Sequence, residues 1–432
     1  MGRVMLRRVK TVAVGFAVAT AVASCTGADP DEGSESSRSS EPEKTASGVE
    51  RFALAAEPVW RGDTGGLPEI MTSGWHSARY VDDVLLLEYS DASTAVVDPE
   101  TGEPYWTADS ELMAGNGAKN GDVELSSTTG YAPLSRVRGE WAMFVTYRTG
   151  YHTEGAERGR WTAAVRVKDA SLLWKVPALV EPYDIVDSDE RIVLLAIGSL
   201  DDRPVARAIS TADGSTVWET KDVWGRFLAG EHVLGTVSSQ PPELAADDSY
   251  VVGLDAETGQ RRWSLEGRYH RSEVGFVVGD VALVYVRPVA ASDQEEVVLV
   301  DVASGAEIAK LGWDFGGKNS CAGDDSRLIA CTLDDKPDSP EGDRLVTFDV
   351  AQRAKHVSPP EQDVGRFSVK KVEGDYVFVD DDTSGGDDWW AVDRDGVVVS
   401  DKLPGVLIGI SEQYAAFTLP DGNIPAVYQR EQ

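Results

Sequence analysis

Two clusters of aspartates carry the side chains best suited to metal binding in this sequence. The first runs from Asp334-Asp335 to Asp343, and the second joins Asp380-Asp381-Asp382 to Asp387-Asp388. Carboxylate oxygens are the ligands that calcium prefers, but neither cluster has the ligand spacing of an EF-hand loop. Acidic turns between strands are ordinarily solvated. We therefore expect no metal ligand and no bound calcium.

Side chains for acid–base or nucleophilic chemistry are scattered rather than grouped. No two of the five histidines have the spacing of a paired ligand set: they are His76, His152, His232, His270 and His356. The sequence has no Gly-x-Ser-x-Gly motif, and its glycine-rich stretch 115–121 matches neither the dinucleotide fingerprint nor the P-loop. We expect no catalytic residue.

Two cysteines, Cys321 and Cys331, flank a turn-like run from Ala322 to Arg327. A disulfide that closes a short hairpin is their obvious use in an oxidising compartment. Zinc is the alternative, but it would need more ligands than two cysteines nearby. We predict the disulfide, which by the loop-entropy model contributes about 3 kcal/mol.

The N-terminus has the order of an export signal. Basic residues within the first ten positions precede the uncharged apolar stretch Thr11 to Ala23. This stretch has the length of a secretory h-region and is too short to span a membrane as a helix. The pair Arg7-Arg8 leaves the choice between general secretion and twin-arginine export open. The sequence therefore predicts a signal peptide over residues 1–24.

The run Val22-Ala23-Ser24-Cys25 resembles the bacterial lipobox. The resemblance implies a diacylglycerol thioether on Cys25, cleavage before it and acylation of the new amino group. An ordinary signal peptide that happens to contain a cysteine is the alternative. We expect a lipoprotein of the cell membrane on the extracytoplasmic side, because acyl chains anchor a protein by burying methylenes.

Residues 25–50 read as a tether, and the folded body follows over 51–432. The tether is rich in Ser, Glu, Gly and Pro and has no aromatic residue, so it cannot bury enough surface to fold. The whole chain has a net charge of −32, and loss of the signal peptide with its four basic residues makes it −36. Such a charge repels nucleic acid, and we expect no nucleic-acid partner.

An internal repeat organises the body. Residues 95–106 and 252–263 share an apolar strand, then Asp-x-x-Thr-Gly, then Trp four residues after the Gly. The Gly suits the left-handed position of a tight hairpin, and the Asp and Thr side chains can bond the turn backbone. Weaker copies place eight equivalent positions at Asp98, Arg166, Ser210, Asp255, Asp301, Asp349, Asp393 and Tyr428.

Five of the seven intervals between these positions are 44 to 48 residues long. That period is close to the length of a four-stranded propeller blade. A second apolar run precedes each turn, as in Val84 to Leu87 and Ile192 to Leu195, and reads as a strand buried between neighbouring sheets. The sequence predicts an all-β fold.

The strand-Asp-x-x-Thr-Gly-x-x-x-Trp unit resembles the repeat of pyrroloquinoline-quinone-type (PQQ-like) β-propellers over 51–432. The resemblance implies eight blades of four strands. It also implies that the tryptophan of one blade packs on the adjacent blade, a role carried to Trp106, Trp174, Trp218 and Trp263. Because the last repeat lacks an outer strand, we predict that Ala56 to Arg61 completes it and closes the ring.

Two functions compete. The first is a non-catalytic, membrane-anchored, monomeric scaffold or sensor that binds a protein or cell-wall partner. Aromatic residues of a long second repeat, Tyr147, Tyr151 and Trp161, are candidate contacts. The second is a quinone- or calcium-dependent oxidoreductase with a site in the central channel. The sequence lacks the adjacent cysteine pair of quinoprotein dehydrogenases, so we expect the scaffold and no cofactor.

Overall fold

A computed structural model describes most of the body of the chain. The described residues are 49–62, 75–89, 94–108, 123–125, 132–149, 159–178, 183–198, 203–238, 249–289, 295–314, 321–324, 327–333, 344–359, 367–381, 388–420 and 424–431. Within these ranges the fold is all-β and eight antiparallel sheets follow one another along the chain. No helix in the described part of the chain has the length and apolar character needed to cross a membrane.

The first four sheets are blades 1 to 4 of a β-propeller. Blade 1 contains β3 (Trp75–Val81), β4 (Val84–Tyr89), β5 (Thr94–Val97) and β6 (Pro104–Ala108). Blade 2 contains β7 (Val123–Leu125), β8 (Leu134–Val137), β9 (Glu140–Thr149), β10 (Gly159–Arg166) and β11 (Leu172–Pro177). Blade 3 contains β12 (Tyr183–Ser188), β13 (Ile192–Ile197), β14 (Val205–Ser210) and β15 (Thr216–Lys221). Blade 4 contains β16 (Trp224–Ala229), β17 (His232–Val237), β18 (Tyr250–Asp255) and β19 (Arg261–Ser264).

Blades 5 to 8 continue the same order. Blade 5 contains β20 (Arg271–Val278), β21 (Val281–Arg287), β22 (Glu295–Asp301) and β23 (Glu307–Asp314). Blade 6 contains β24 (Cys321–Gly323), β25 (Leu328–Leu333), β26 (Arg344–Asp349) and β27 (Ala354–Val357). Blade 7 contains β28 (Phe367–Glu373), β29 (Tyr376–Asp381) and β30 (Trp389–Val392). Blade 8 contains β31 (Val406–Ile410), β32 (Tyr414–Leu419) and β33 (Ile424–Glu431), with β1 (Ala53–Leu54) and β2 (Trp60–Arg61) paired to β33.

The eight-bladed propeller predicted from the repeat is confirmed. Two blades differ from four simple strands. In blade 2 both β7 and β8 pair with the ten-residue β9, which accounts for part of the extra length of the second repeat. In blade 7 the outer position is occupied by an isolated bridge between Val392 and Val398 instead of a full strand.

Burial explains why each repeat carries continuous apolar runs. Every residue of β13 is buried, whereas four of the six residues of the outer strand β15 are exposed to solvent. The apolar clusters cross blade boundaries, because Leu194 and Ala208 of blade 3 pack with Val233 and Leu254 of blade 4. Each middle strand is thus covered on both faces by neighbouring sheets, and its sequence needs no polar alternation.

The antiparallel order divides the ring into two ends. Hairpins between the first and second strands, and between the third and fourth strands, lie at one end, here called the turn end. Connections between the second and third strands, and between consecutive blades, lie at the opposite end, here called the loop end. The turn-end hairpins fall almost wholly within the described residues, whereas much of the loop end lies outside them.

The chain's N-terminal segment closes the ring, as predicted, although the predicted strand Ala56 to Arg61 contains only β2 and the pairing also includes β1 before it. Ala53 and Leu54 pair with Glu431 and Arg430, and Trp60 pairs with Val427. The segment therefore supplies the outer strand that blade 8 lacks, in two short pieces rather than one. Residues 1–48, which include the predicted signal peptide and nearly all of the tether, lie outside the described residues.

Phe52 joins blade 7 to this closing segment. Its amide donates to the carbonyl of Val399 at 2.9 Å, and its ring makes edge contacts with Tyr376 and Phe378, both at 5.3 Å between ring centroids. The guanidinium of Arg430 lies over the same ring at 5.2 Å. The first described residues are thus part of the packed body of the propeller.

Replacement of Trp60 tests closure. Trp60 is 6% exposed and belongs to an apolar cluster with residues of blades 1 and 8, so Trp60→Ala removes contacts from both. We expect a loss of about 3–5 kcal/mol in the free energy of unfolding, measured by urea denaturation. The neighbouring side chain of Val59 is 39% exposed, and Val59→Ala is the control, with an expected change within about 0.5 kcal/mol. Equal losses in the two variants would contradict closure through Trp60.

Candidate functional site

The four tryptophans singled out in the repeat all contact the next blade. Each indole N–H donates to a backbone carbonyl just beyond the equivalent position of the following repeat: Trp106 to Val167 at 2.6 Å, Trp174 to Thr211 at 2.6 Å, Trp218 to Ala256 at 2.7 Å and Trp263 to Val302 at 2.8 Å. A buried indole is satisfied when its N–H finds such an acceptor. That these four tryptophans stabilise the ring stays a prediction.

A fifth tryptophan, Trp60, makes the same contact from blade 8 to blade 1. Its Nε1 donates to the carbonyl of Pro99 at 3.0 Å. Sequence reasoning placed Trp60 in the closing strand but did not give it this role, because no Asp-x-x-Thr-Gly hairpin precedes it. The inter-blade tryptophans are therefore Trp60, Trp106, Trp174, Trp218 and Trp263.

The glycine of the repeat is explained by the same contact. Gly102, Gly214, Gly259 and Gly305 all have positive φ, between 67° and 74°. A Cβ at any of them would lie 2.5 to 2.8 Å from the ring of the preceding blade's tryptophan. Two independent constraints, the left-handed turn and the indole face, thus select glycine at one position. In blade 2 the position is filled by Ala170, which has a φ of 57°.

The aspartate of the repeat holds the turn. In blade 4 the Asp255 carboxylate accepts from the backbone N–H of Thr258 at 2.8 Å and from its hydroxyl at 2.7 Å. Hydrogen bonds from Arg262 and Thr258 lower the pKa of Asp255 well below its usual range. The turn bonds proposed from the sequence are therefore present, and they fix the glycine beneath the indole.

Alanine substitutions at Gly259 and Gly267 distinguish the effect of the indole contact from that of the left-handed backbone. Gly259→Ala introduces both left-handed strain and overlap with the Trp218 ring, because the added Cβ would lie 2.6 Å from that ring. Gly267 has a φ of 71° and nothing within 4 Å of an added Cβ, so Gly267→Ala is a matched control that carries strain alone. We expect Gly259→Ala to lose about 1–3 kcal/mol more than Gly267→Ala in urea unfolding. Similar losses would show that the indole contact is unimportant.

Polar contacts replace tryptophan in the second half of the ring. Between blades 5 and 6, the Lys355 ammonium donates to the Leu311 carbonyl at 2.7 Å, and Arg353 pairs with Asp301 at 3.5 Å. Between blades 6 and 7, His356 lies 2.5 Å from Asp395. Arg353, which occupies the position of the repeat glycine, has a φ of 52°, and the tryptophan position of blade 5 is occupied by Ala309.

The predicted disulfide between Cys321 and Cys331 is confirmed. The two residues lie directly opposite each other on β24 and β25, so the bond links the two inner strands of blade 6. Cys25, the predicted lipidation site, lies outside the described residues.

The candidate metal clusters are only partly described. Residues 334–343 lie outside the described residues, as do 382–387. Asp380 is buried and lies 3.3 Å from the Lys370 ammonium, and Asp388 pairs with Lys402. Among the described residues no group of three or more His, Cys, Asp or Glu side chains is placed to hold a metal ion. Of the candidate aromatic contacts, Trp161 lies on β10 under the Lys175 ammonium at 4.7 Å, while Tyr151 and the Tyr147 side chain lie outside the described residues.

A cavity of about 180 Å³ lies between the innermost strands of blades 4 and 5, and sequence reasoning missed it. It is lined by Arg226, Phe227, Glu273, Val274, Gly275, Phe276 and Tyr285, and is here called the blade 4–5 cavity. The sequence signal was a charged residue next to the apolar part of each inner strand: Arg226 in β16, and Glu273 after Arg271 in β20.

Strand irregularities shape the cavity. The pairing of β16 with β17 shifts at Arg226, and the pairing of β20 with β21 shifts at Gly275. Such β-bulges re-aim side chains and open space next to binding sites. Gly275 lets the Tyr285 ring pack close to the strand backbone, because a Cβ there would lie 2.7 Å from that ring.

Charges at the cavity are arranged as a chain. The Arg271 guanidinium contacts one Glu273 oxygen at 3.1 Å, and Arg226 lies 3.9 Å from the other. Arg271 also lies 3.9 Å from Glu295. The Glu273 side chain is 9% exposed, whereas that of Arg226 is 28% exposed. A buried, compensated carboxylate thus faces a more accessible guanidinium across the cavity.

Asp187 links blades 3 and 4 at the far side of β16. Its carboxylate accepts from the backbone N–H of Leu228 at 2.7 Å and from that of Ser188 at 2.8 Å. Burial raises the pKa of Asp187 to about 6, although these two hydrogen bonds oppose the rise.

The raised pKa of Asp187 predicts a pH dependence of stability. Because the folded protein holds this proton more tightly than the unfolded chain, Asp187 stabilises the fold most below about pH 4, and this contribution is lost as the pH rises through about 6. Relative to Asp187→Asn, the wild-type free energy of unfolding should fall by roughly 2 kcal/mol between pH 4 and 7. The free energy of unfolding of both proteins is measured by urea denaturation at each pH. A difference between the two proteins that does not depend on pH would refute the prediction.

A known protein family matches more than half of this chain. A family model described as outer membrane protein assembly factor BamB matches residues 158–399. Among solved structures, BamB from Moraxella catarrhalis has 12% identity and a TM-score of 0.47, over 83% of this chain and 99% of that chain. Quinohemoprotein alcohol dehydrogenase from Comamonas testosteroni has 12% identity and a TM-score of 0.49, over 88% of this chain and 76% of that chain.

The quinohemoprotein alcohol dehydrogenase ADHIIG from Pseudomonas putida HK5 has 10% identity and a TM-score of 0.45, over 83% of this chain and 75% of that chain. Comparison with curated protein sequences gives no match.

Proposed function

Because this chain belongs to the family of outer membrane protein assembly factor BamB, we propose that it is a non-catalytic scaffold that binds a protein partner outside the cytoplasm. The family match, which spans more than half of the chain, carries the proposal. A scaffold needs a rigid body more than it needs reactive groups, and the inter-blade tryptophans supply such a body.

A lipid on Cys25 would hold this scaffold at the extracytoplasmic face of the membrane. The support is the order of basic segment, apolar segment and Val22-Ala23-Ser24-Cys25 in the sequence. We further propose that the protein works as a monomer, without nucleic acid, quinone or calcium. The closed ring favours a monomer, since the N-terminal segment pairs the strand edge of β33 that would otherwise be exposed.

Anchoring and partner binding are tested together in cells of the source organism. A photo-reactive amino acid replaces Tyr105, 51% exposed near the turn end, or Val289, 69% exposed near the loop end. We expect a reproducible crosslink to one envelope protein from at least one end. Cys25→Ala should move the protein from the membrane fraction to the soluble fraction and lose the crosslink, because the thioether cannot form. Ser36→Ala, a change within the tether, is the control and should leave both unchanged.

Titration of the purified mature protein with pyrroloquinoline quinone and calcium tests the alternative, an oxidoreductase. The scaffold proposal expects no saturable heat of binding and no dye-linked oxidation of alcohols or sugars. Saturable binding accompanied by such oxidation would replace the scaffold with an oxidoreductase. Membrane retention of Cys25→Ala would refute the lipid anchor.

A further inference from the structure

We propose that the turn end of blade 2 docks an acidic segment of a protein partner. The docking surface consists of Arg136, Arg138, Arg166 and Lys168 and is here called the basic surface. This inference rests on the proposed scaffold function and names the chemistry by which the partner is recognised. It follows from the charge of the blade, the pairing of its cations and the backbone of one hairpin.

Blade 2 differs in charge from every other blade. From β7 to β11, residues 123–177 contain eight Lys and Arg residues and five Asp and Glu residues, a net charge of +3. Over their own strands and loops the other seven blades have net charges between −2 and −6. A local field of this sign attracts a negatively charged partner and repels a positively charged one.

Two of the four cations of the basic surface are already paired. Arg166 contacts both carboxylates of the blade 2 turn end, Glu140 and, at 2.9 Å, Asp169. Arg136 pairs with Asp82 of blade 1 at 3.3 Å. These pairs compensate the acidic residues at this end of the blade, so the charge of the surface comes from the two remaining cations.

Arg138 and Lys168 are these remaining cations. Both are exposed, and neither forms an ion pair with any residue that the structure describes. Hydrogen bonds from Ser215 lower the pKa of Asp213 on blade 3, and the Arg138 charge adds to this shift from outside ion-pair distance. Both cations are therefore accessible to a carboxylate that approaches from solvent.

The backbone of Arg138 is a second, independent sign of function. Arg138 has a φ of 55° at the first position of its two-residue hairpin, where blades 4, 5 and 7 have Gly230, Gly279 and Gly374 at 58–60°. Blade 1 has Asp82 there, a residue type that tolerates the left-handed conformation better than arginine does. Arginine is thus retained where glycine would relieve strain, and strain of this kind is concentrated at functional sites.

The neighbouring blades restrict the partner to a narrow segment. At the turn end blade 1 presents the exposed residues Asp83, Glu100 and Glu103, and blade 3 presents Glu190 and Asp213. An extended anionic surface, such as a membrane rich in anionic lipids, contacts all three blades at once and is repelled by these carboxylates, because charges closer than about 8–10 Å are only partly screened. A short acidic segment can lie on blade 2 alone. The charge pattern therefore favours a protein segment over a membrane.

A photo-reactive amino acid at Tyr105, on the adjoining blade 1, tests the surface in cells. Arg138→Glu with Lys168→Glu reverses the two uncompensated charges and should lower the yield of the crosslink to the partner by about fivefold or more. Arg203→Glu with Lys221→Glu, at exposed positions at the loop end of blade 3, changes the net charge equally and should leave the yield unchanged. Membrane content and urea midpoints check that both double variants are exported and folded. Equal yields from the two double variants would overturn the proposal.

Arg138→Gly distinguishes partner binding from folding. Glycine adopts the left-handed conformation without strain, so the urea midpoint should stay unchanged or rise, while the crosslink yield from Tyr105 should fall by about twofold or more. A lower urea midpoint, or an unchanged crosslink yield, would assign Arg138 to the fold rather than to the partner and would overturn the proposal.

Mass spectrometry of the crosslinked product tests the chemistry of the partner. The crosslinked partner peptide should contain a cluster of Asp and Glu residues. A partner peptide of net positive charge, or a crosslink that forms only from Val289 at the loop end, would overturn this inference while leaving the proposed scaffold function intact. A lipid adduct from Tyr105 would overturn it in favour of a membrane surface. No crosslink from either position of the wild type would count against the scaffold and this inference together.

Discussion

The packing of an indole from one blade onto the turn of the next, which has glycine in four of five cases and Ala170 in the fifth, is the interaction on which the rest of the ring depends. It places two features of the repeat, the glycine and the tryptophan, on opposite sides of one interface. The turn aspartate serves the same contact indirectly, because it fixes the backbone on which the glycine lies. The Asp-x-x-Thr-Gly-x-x-x-Trp repeat therefore predicts both a hairpin within one blade and a contact between neighbouring blades.

This interaction divides the ring into three kinds of blade interface. Five consecutive interfaces, from blade 8 through blade 5, use an indole. The interfaces on either side of blade 6 use polar and charged side chains, and blade 6 also carries the disulfide. Between blades 7 and 8, Phe52 packs in an aromatic cluster with Tyr376 and Phe378. The N-terminal segment therefore contributes to two interfaces, and the tether proposed upstream would leave the body there.

Much of this architecture could be predicted from the sequence, because the repeat recurs at a period set by blade length. The closing strand followed from the incomplete last repeat, and the disulfide followed from two cysteines that flank a turn-like run. The blade 4–5 cavity could not, since it depends on bulges at Arg226 and Gly275, and a bulge shifts register without changing apolar pattern. The role of Trp60 was missed because no Asp-x-x-Thr-Gly hairpin precedes it, although its partner Gly102 follows at about the spacing of the other tryptophan–glycine pairs.

A double-mutant cycle between Trp218 and Gly259 tests the central interaction most directly. The free energies of unfolding of wild type, Trp218→Ala, Gly259→Ala and the double variant are compared in urea. If the indole lies on the turn as described, removing it relieves the overlap caused by the added methyl group, and the coupling energy should be about 1–3 kcal/mol. Additive losses, within about 0.5 kcal/mol, would contradict the account.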